Sequence, residues 1–369
     1  MRVLLNDPVA PPEQSSGDRP IYFHRRLPGY AVTPLVDAPE LARRLGVEKV
    51  VVKNETSRFG LPSFKVLGAS WATYAALRDR LGPIGDGPLT PEAMRAWAAP
   101  AAPLTLLAAT DGNHGRAVAR VASWFGLKAR IYIPDFVAGP RRRAIESEGA
   151  ELVVLDGPYD AAVDAALADS SQPGTLLISD TARAASDVVP RLVTAGYTTA
   201  HAEIEEQIAG DDRIDAVGVQ AGVGGLASAT TSWARVTRAG RSPRVAVVEP
   251  EGAACIMAAI ASGEPKTVSA DQVTAMAVLQ CGTVSLTAFP NLEAGVSCCL
   301  AIEDKWAIEA VALLKAAGVE TGPSGAAGVA GLMAALAGPF AGPVREHLRI
   351  GPASRLLFIA TESPAAGGA

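Results

Sequence analysis

This sequence predicts an α/β protein of two lobes, each a mainly parallel sheet flanked by helices, and three observations predict it. Short apolar runs alternate with Ala-rich, helix-like stretches from about Leu104 onward, the pattern of repeated βαβ units. The runs are continuously apolar, as strands covered by helices on both faces must be. The chain has 369 residues, of which 49% are hydrophobic and 19% charged, so it can bury a large core; at about 100–200 residues per domain it suits two domains better than one.

In chain order, LTLLAAT (104–110), ARIYIP (129–134), ELVVLD (151–156) and TLLIS (175–179) read as the strands of one lobe. IDAVGVQ (214–220), RVAVVEP (244–250) and SRLLFIAT (354–361) form a second series. The segment Leu81 to Pro103 carries five prolines and reads as an irregular loop at the edge of the first lobe. No charge occurs between Glu320 and Arg345, but Gly and Ala dominate there and Pro323, Pro339 and Pro343 interrupt the run. It reads as a buried helix of small residues and not as a membrane span. The tail, Ser363 to Ala369, reads as loose.

Lys and Arg number 33 against 38 Asp and Glu, a net charge of −5, which argues against a general nucleic-acid binder. Met1 to Ser16 has no apolar core of a secretory signal, and four cysteines in so long a chain are no disulfide framework, so the cytoplasm is expected. Cys255, Cys281, Cys298 and Cys299, with His24, His114, His201 and His347, show no metal-ligand spacing, and no G-x-S-x-G elbow occurs.

Three segments could carry chemistry. QAGVGGLASA (220–229) follows a predicted strand and opens a predicted helix, so its free amides and the helix N-terminus suit a phosphate. A plain tight turn is equally consistent, and Glu249 at the end of the next strand mimics a dinucleotide fingerprint. RFGLPSFKVLGAS (58–70) sets Lys65 in apolar surroundings after Phe64, where desolvation would make its amine a nucleophile or base; a surface lysine that snorkels to water is the alternative. ATDGNHGRAVA (109–119) enters a helix through Asp111, Gly112, Asn113, His114 and Gly115, offering amides suited to a carboxylate. Asp111 could equally be only a helix cap and His114 a satisfied loop residue.

Taken in order, these segments, with GPSGAA (322–327) and a strand ending in Thr361, resemble the fold-type II enzymes of pyridoxal phosphate, whose architecture is that of the tryptophan synthase β chain. The resemblance spans nearly the whole chain, and the joint order is far more specific than any one motif. Within that superfamily the sequence resembles the diaminopropionate ammonia-lyases in SRFGLPSFKVLGAS (57–70), TDGNHGRAVA (110–119), SDTA (179–182), AGYTT (195–199), QAGVGG (220–225), VVEP (247–250) and QCGTVS (280–285). Most relatives carry Ser before GNHG; this chain carries Asp111, as the ammonia-lyases do.

The resemblance implies a larger, cofactor-binding domain of residues 1–63 plus 195–369 and a smaller, substrate-side domain of 64–194. It implies that Lys65 joins pyridoxal phosphate as a Schiff base beside Phe64, that Asn113 meets the 3′-oxygen, and that Gly222, Val223, Gly224 and Gly225 hold the phosphate. Thr361, with Ser324 as the other candidate, would meet the pyridine nitrogen through a hydroxyl, which leaves the ring a weak electron sink suited to β-elimination. The loop of Thr110, Asp111, Gly112, Asn113, His114 and Gly115 would receive the substrate carboxylate. Lys65 would take the Cα proton of an L-substrate and Asp111 that of a D-substrate, while Asp180 would recognise the cationic substrate or handle protons. The implied reaction converts 2,3-diaminopropionate to pyruvate and two ammonia in amino acid metabolism, in a homodimer with a small amino-acid substrate and no nucleic-acid or membrane partner.

The sequence also departs from the pattern. Pro62 precedes the lysine segment, Ala69 replaces a second glycine, and Thr283 and Val284 stand where relatives tend to have an acidic residue and Pro. Cys255 and Cys281 lie where some relatives have a cysteine pair, so a local disulfide and two buried thiols are both open. A serine or threonine dehydratase or a β-replacement enzyme shares the cofactor with a different substrate. A dinucleotide-binding dehydrogenase, which would leave Lys65 and GNHG unexplained, and a non-catalytic cofactor-binding or regulatory protein are the distant alternatives.

Overall fold

A computed structural model describes residues 1–9, 19–110, 112–157, 159–208, 213–235 and 242–364. In chain order its strands are β1 (Arg2–Leu5), β2 (Leu35–Asp37), β3 (Lys49–Asn54), β4 (Thr105–Ala109), β5 (Lys128–Pro134), β6 (Glu151–Leu155), β7 (Thr175–Leu177), β8 (Ala216–Gln220), β9 (Arg244–Pro250), β10 (Cys298–Ile302) and β11 (Arg355–Ala360). They form a seven-stranded sheet, β1-β10-β9-β8-β11-β3-β2, and a four-stranded one, β6-β5-β4-β7. The smaller sheet and the inner five strands of the larger are parallel. Only the edge strands β1 and β2 run antiparallel to their neighbours.

Each apolar run the sequence reading singled out forms a strand, and the strands of the smaller sheet all fall within residues 64–194. Strands β1, β2, β3 and β10 were not anticipated. The first two are only four and three residues long, and β3, KVVVKN, sets its valines between lysines. Its alternation decides the packing: Val51 joins the core shared with the smaller sheet, while Val50 and Val52 join the core on the far face.

Two helical segments correct the sequence reading. Leu81 to Pro103 is not wholly irregular, because the helix Pro91–Ala98 lies inside it, capped by Thr90, whose hydroxyl accepts from the Ala93 amide at 3.1 Å. Pro91 stands in its first turn, where a missing N–H costs no hydrogen bond. The small-residue stretch is two helices, Pro323–Ala337 and Ala341–Leu348. Its glycines serve close packing: a Cβ on Gly328 would lie 2.7 Å from the Gly218 carbonyl oxygen, and one on Gly331 2.4 Å from Val248. Among the described residues no helix is long and apolar enough to cross a membrane.

The loop after β3, which leads to Lys65, is pinned by a buried cluster of four charges. Lys53 Nζ donates to Glu203 at 2.7 Å, to the Thr33 carbonyl at 2.8 Å and to Gln207 at 2.8 Å. Arg58 donates to the other Glu203 oxygen at 2.7 Å and to Glu55 at 3.0 Å. Burial pushes the Glu203 carboxyl up, but hydrogen bonds and charge from Arg58, and then Lys53, outweigh it and bring it down to about 2. His24 lies nearby: its Nε2 contacts the Leu67 carbonyl oxygen and the Ser70 hydroxyl, both at 3.1 Å, and its Nδ1 faces the Thr199 hydroxyl at 2.6 Å. The carbonyl can only accept, so Nε2 carries the proton and Nδ1 accepts, a neutral and satisfied ring.

Burial, followed by the Arg58 charge, lowers the His24 pKa to about 3 from an ordinary value of 6.5. The unfolded chain therefore binds this proton first, so the stability His24 contributes is complete above pH ~6.5 and is lost as pH falls toward ~3, at about 1.4 kcal/mol per pH unit. Glu203 adds to the loss below about pH 4.5. Unfolding midpoints should fall steadily from neutral pH to pH ~5, and a His24→Asn variant, less stable at neutral pH, should lose that slope; an unchanged slope in the variant would refute the assignment.

Candidate active site

In parallel sheets, helix-forming connections leave the carboxyl ends of the strands open, and loops there converge on ligands. The residues singled out from sequence emerge from five such ends: Lys65 follows β3, Thr110 follows β4, Asp180 follows β7, the glycine loop follows β8, and Thr361 follows β11.

Lys65 is the first residue of the helix Lys65–Leu81. Two glycines let this helix approach Val188–Gln207 unusually closely: a Cβ on Gly68 would lie 2.6 Å from the Tyr197 ring, and one on Gly196 2.4 Å from the Leu67 carbonyl oxygen. The approach sets Phe64 and Tyr197 around the amine, their centroids 4.6 Å apart and Nζ 5.5 and 5.9 Å from them. Nζ donates to Asp180 Oδ2 at 2.7 Å. The apolar surroundings expected for Lys65 are therefore joined by a carboxylate, which the spacing of residues 65 and 180 did not reveal.

Burial pushes the Asp180 carboxyl up, but the charges of Lys65 and His114 and the hydrogen bond from Lys65 prevail and hold it well below the usual carboxylate range. His114 Nδ1 faces the same Asp180 oxygen at 4.0 Å. Its Nε2 lies 2.7 Å from the Ile178 carbonyl oxygen and so carries a proton. Burial raises the Tyr197 hydroxyl well above its ordinary value, so it stays protonated.

The glycine loop lies between β8 and the helix Gly225–Arg235, whose first-turn amides have no partner within the helix. Gly224 adopts φ +100°, open to glycine and strained for other residues. A Cβ on Gly225 would lie 3.5 Å from both Thr194 and Tyr197 and 4.0 Å from the Asp180 carbonyl oxygen, so this loop and the lysine share a wall. Val223 is held from behind: its carbonyl accepts from the Ser285 amide at 2.8 Å, while Ser285 Oγ accepts from the Ala182 amide at 2.9 Å. SDTA, QAGVGG and QCGTVS thus meet in one patch.

Behind Gly222, the Cys255 thiol donates to its carbonyl oxygen at 3.6 Å, and a Cβ there would lie 2.9 Å from Cys281 Sγ. The two cysteines stand as separate thiols, and burial pushes that of Cys255 well above its usual value. Glu249, which mimicked a ribose-binding acid in the sequence, instead accepts from the Ile256 and Met257 amides at 2.7 and 2.9 Å and caps the helix Cys255–Ser262. Burial raises its carboxyl to about 7.

In the GNHG loop, Thr110 Oγ1 accepts from the Gly112 amide at 2.9 Å. Gly115 is a packing glycine, since a Cβ there would lie 2.2 Å from Thr110 Cγ2. Asn113 Nδ2 donates to Glu362 at 2.8 Å, a link between the two sheets. Thr361 Oγ1 accepts from Gln220 Nε2 at 2.8 Å, and Ser324 is buried at the start of Pro323–Ala337. Asp111 lies outside the described residues. Sequence reasoning gave no role to Glu362, Tyr197 or Gln220. The signals were slight: an acid directly after Thr361, a tyrosine inside AGYTT, and the glutamine heading the glycine loop.

A family model described as pyridoxal-phosphate dependent enzyme matches residues 26–345. The diaminopropionate ammonia-lyase of Salmonella typhimurium is 33% identical over 361 residues, 94% of this chain and 88% of that protein. The crystal structure of diaminopropionate ammonia-lyase from Escherichia coli in complex with D-serine superposes with a TM-score of 0.87 at 29% identity, covering 99% of this chain and 94% of that one. The same enzyme in complex with an aminoacrylate-PLP azomethine reaction intermediate gives a TM-score of 0.82 at 28% identity, with coverage of 99% and 94%.

Because backbone rather than a flexible tip opposes Gly196, Gly196→Ala should push the lysine helix and Val188–Gln207 apart, lowering stability by about 1–3 kcal/mol despite alanine's better helix propensity. Denaturant titration checks this, and a neutral or stabilising effect would overturn the close-packing account.

Proposed function

The chain belongs to the pyridoxal-phosphate dependent enzymes, and we propose on that premise that it eliminates ammonia from 2,3-diaminopropionate to give pyruvate and two ammonia. The observation that carries this reading is the ionised Asp180 carboxylate beside the Lys65 amine. A substrate with a second ammonium needs such a partner, whereas a hydroxy amino acid does not.

The residues present fit the cofactor. Lys65 offers an amine flanked by aromatic rings, the glycine loop offers amides at a helix N-terminus for the phosphate, and Thr361 offers a buried hydroxyl. When bound, pyridoxal phosphate supplies the electron sink that acidifies the Cα proton and lets the β-substituent depart.

The chain's own groups then divide the work. Amides of Gly222, Val223, Gly224 and Gly225 hold the phosphate, Asn113 meets the 3′-oxygen, and Thr361, with Ser324 as the other candidate, meets the ring nitrogen. The loop of Thr110, Asp111, Gly112, Asn113, His114 and Gly115 receives the substrate carboxylate. Lys65 Nζ takes the Cα proton of the L-enantiomer, and Asp111, on the sequence resemblance, that of the D-enantiomer. Asp180 Oδ2 pairs with the substrate's β-ammonium, with His114 beside it, and Phe64 and Tyr197 keep water from the amine. Residues 1–63 plus 195–369 make the cofactor-binding domain and 64–194 the substrate side. A cytoplasmic homodimer completes the reading, on the sequence resemblance.

One set of assays tests this. Purified protein with pyridoxal phosphate should show a visible absorption band that borohydride removes, and pyruvate should be released from both enantiomers of diaminopropionate. Lys65→Ala should lose the band and lower turnover about a thousandfold or more. Turnover of serine or threonine without diaminopropionate would establish the dehydratase instead. In a separate variant, Asp111→Asn should spare the L-enantiomer and abolish turnover of the D-enantiomer; equal losses would remove the two-base assignment.

A further inference from the structure

We propose that Tyr197 is a specificity-determining residue whose hydroxyl, with the Asp180 carboxylate and the Phe64 ring, completes a site for the second ammonium of a diamino acid substrate. The proposal rests on the functional reading given above and deepens it by naming the side chain that helps tell an ammonium from a hydroxyl.

Tyr197 lies midway along the helix Val188–Gln207 and is 1% exposed. Its ring is seated too tightly to turn away. A Cβ on Gly68 would lie 2.6 Å from Cε1 and 2.9 Å from Cζ, and the Phe64 ring packs against it at 4.6 Å, tilted by 59°. The hydroxyl at its tip is buried and makes no hydrogen bond among the described residues. Burial keeps it protonated, while the charges of Lys65 and Asp180 act on it in opposite senses, so it feels both members of that pair.

A ring needed only for packing would do better as phenylalanine, because a buried hydroxyl without a partner is a cost that the bare ring avoids. An oxygen kept beside the reactive pair points to a partner that arrives with the ligand. Toward the glycine loop Tyr197 presents ring carbon, Cε2 lying 3.5 Å from where a Cβ on Gly225 would be, so the phosphate assigned there is the poorer candidate.

The Lys65 ammonium shows which ligand group suits the place. Its Nζ donates to Asp180 Oδ2 at 2.7 Å and stands 5.5 and 5.9 Å from the Phe64 and Tyr197 centroids, within reach of cation–π attraction. One carboxylate and two rings thus already surround a primary ammonium. Once the Lys65 amine is engaged with pyridoxal phosphate, the carboxylate and the rings are left for another cation. A second ammonium on the substrate has three N–H donors, enough to meet both Asp180 and the Tyr197 oxygen. A hydroxyl in its place brings no charge to the rings, and its hydrogen bond with Tyr197 is of the weaker, neutral kind.

The test is Tyr197→Phe, which keeps the ring and removes the oxygen. Thermal unfolding, with and without pyridoxal phosphate, should find the variant at least as stable as the wild type, because the lost hydroxyl has no partner inside the fold. In the holoenzyme, kcat/KM for 2,3-diaminopropionate should fall about 10–100-fold, while the inhibition constant of serine should move by no more than about threefold. A variant that melts below the wild type overturns the proposal, since its hydroxyl is then held within the fold; so does an equal loss for diaminopropionate and serine. An unchanged kcat/KM with faster release of cofactor overturns it too, and gives the hydroxyl to the phosphate. If the wild type releases no pyruvate from either enantiomer of diaminopropionate, the functional reading itself fails, whereas wild-type turnover that is indifferent to Tyr197→Phe overturns this inference alone.

Discussion

The meeting of the Lys65 amine with the Asp180 carboxylate is the contact on which the arrangement turns. The two residues leave different sheets, one after β3 and the other after β7, and stand 2.7 Å apart because the segments after these two strand ends meet. Burial alone would neutralise the carboxylate; the charges of Lys65 and His114 hold it ionised. The pair also recruits its surroundings, since His114 faces the same carboxylate and Tyr197 closes over the same amine.

That contact is held in place by interactions that do no chemistry. The Lys53, Glu55, Arg58 and Glu203 cluster fixes the loop leading to the lysine, and Glu203 belongs to the helix that also carries Gly196 and Tyr197. One helix thus anchors the loop at one turn and shapes the amine's pocket at another. A buried ionic cluster is a poor source of stability compared with apolar packing, but loss of any one partner leaves an uncompensated charge, so it is an effective way to fix one loop conformation. Gly68 and Gly196 act by the opposite means, through the absence of atoms, and bring backbone to where a methyl group would keep it away.

The electrostatics of the site are divided by position. Helix-terminal amides follow the glycine loop, a carboxylate faces the amine, and the buried Thr361 hydroxyl accepts from Gln220. Glu249, close in sequence to the glycine loop, is spent on capping a helix and takes no part in this field. A dinucleotide enzyme would have needed that acid free for a ribose, so its capture by two amides removes the feature that suggested one.

How much was legible in advance follows from what each feature depends on. Strands such as RVAVVEP and ELVVLD, and the glycine loop after β8, were readable because continuous apolar runs and glycine spacing are local properties of the chain. Lys65 and the GNHG loop were readable as members of an ordered set of motifs. Strands β1 and β2 were too short to announce themselves, and the helix Pro91–Ala98 was hidden because prolines that begin a helix look like prolines that break one. The partners of the site residues were not readable at all: Asp180 with Lys65, Glu362 with Asn113, and Gln220 with Thr361 are separated by 115, 249 and 141 residues. Sequence by itself determined which residues carry reactive groups and which elements deliver them; only the tertiary structure decided which of those groups touch, because contact across two sheets depends on the packing of the whole chain and leaves no local periodicity to read.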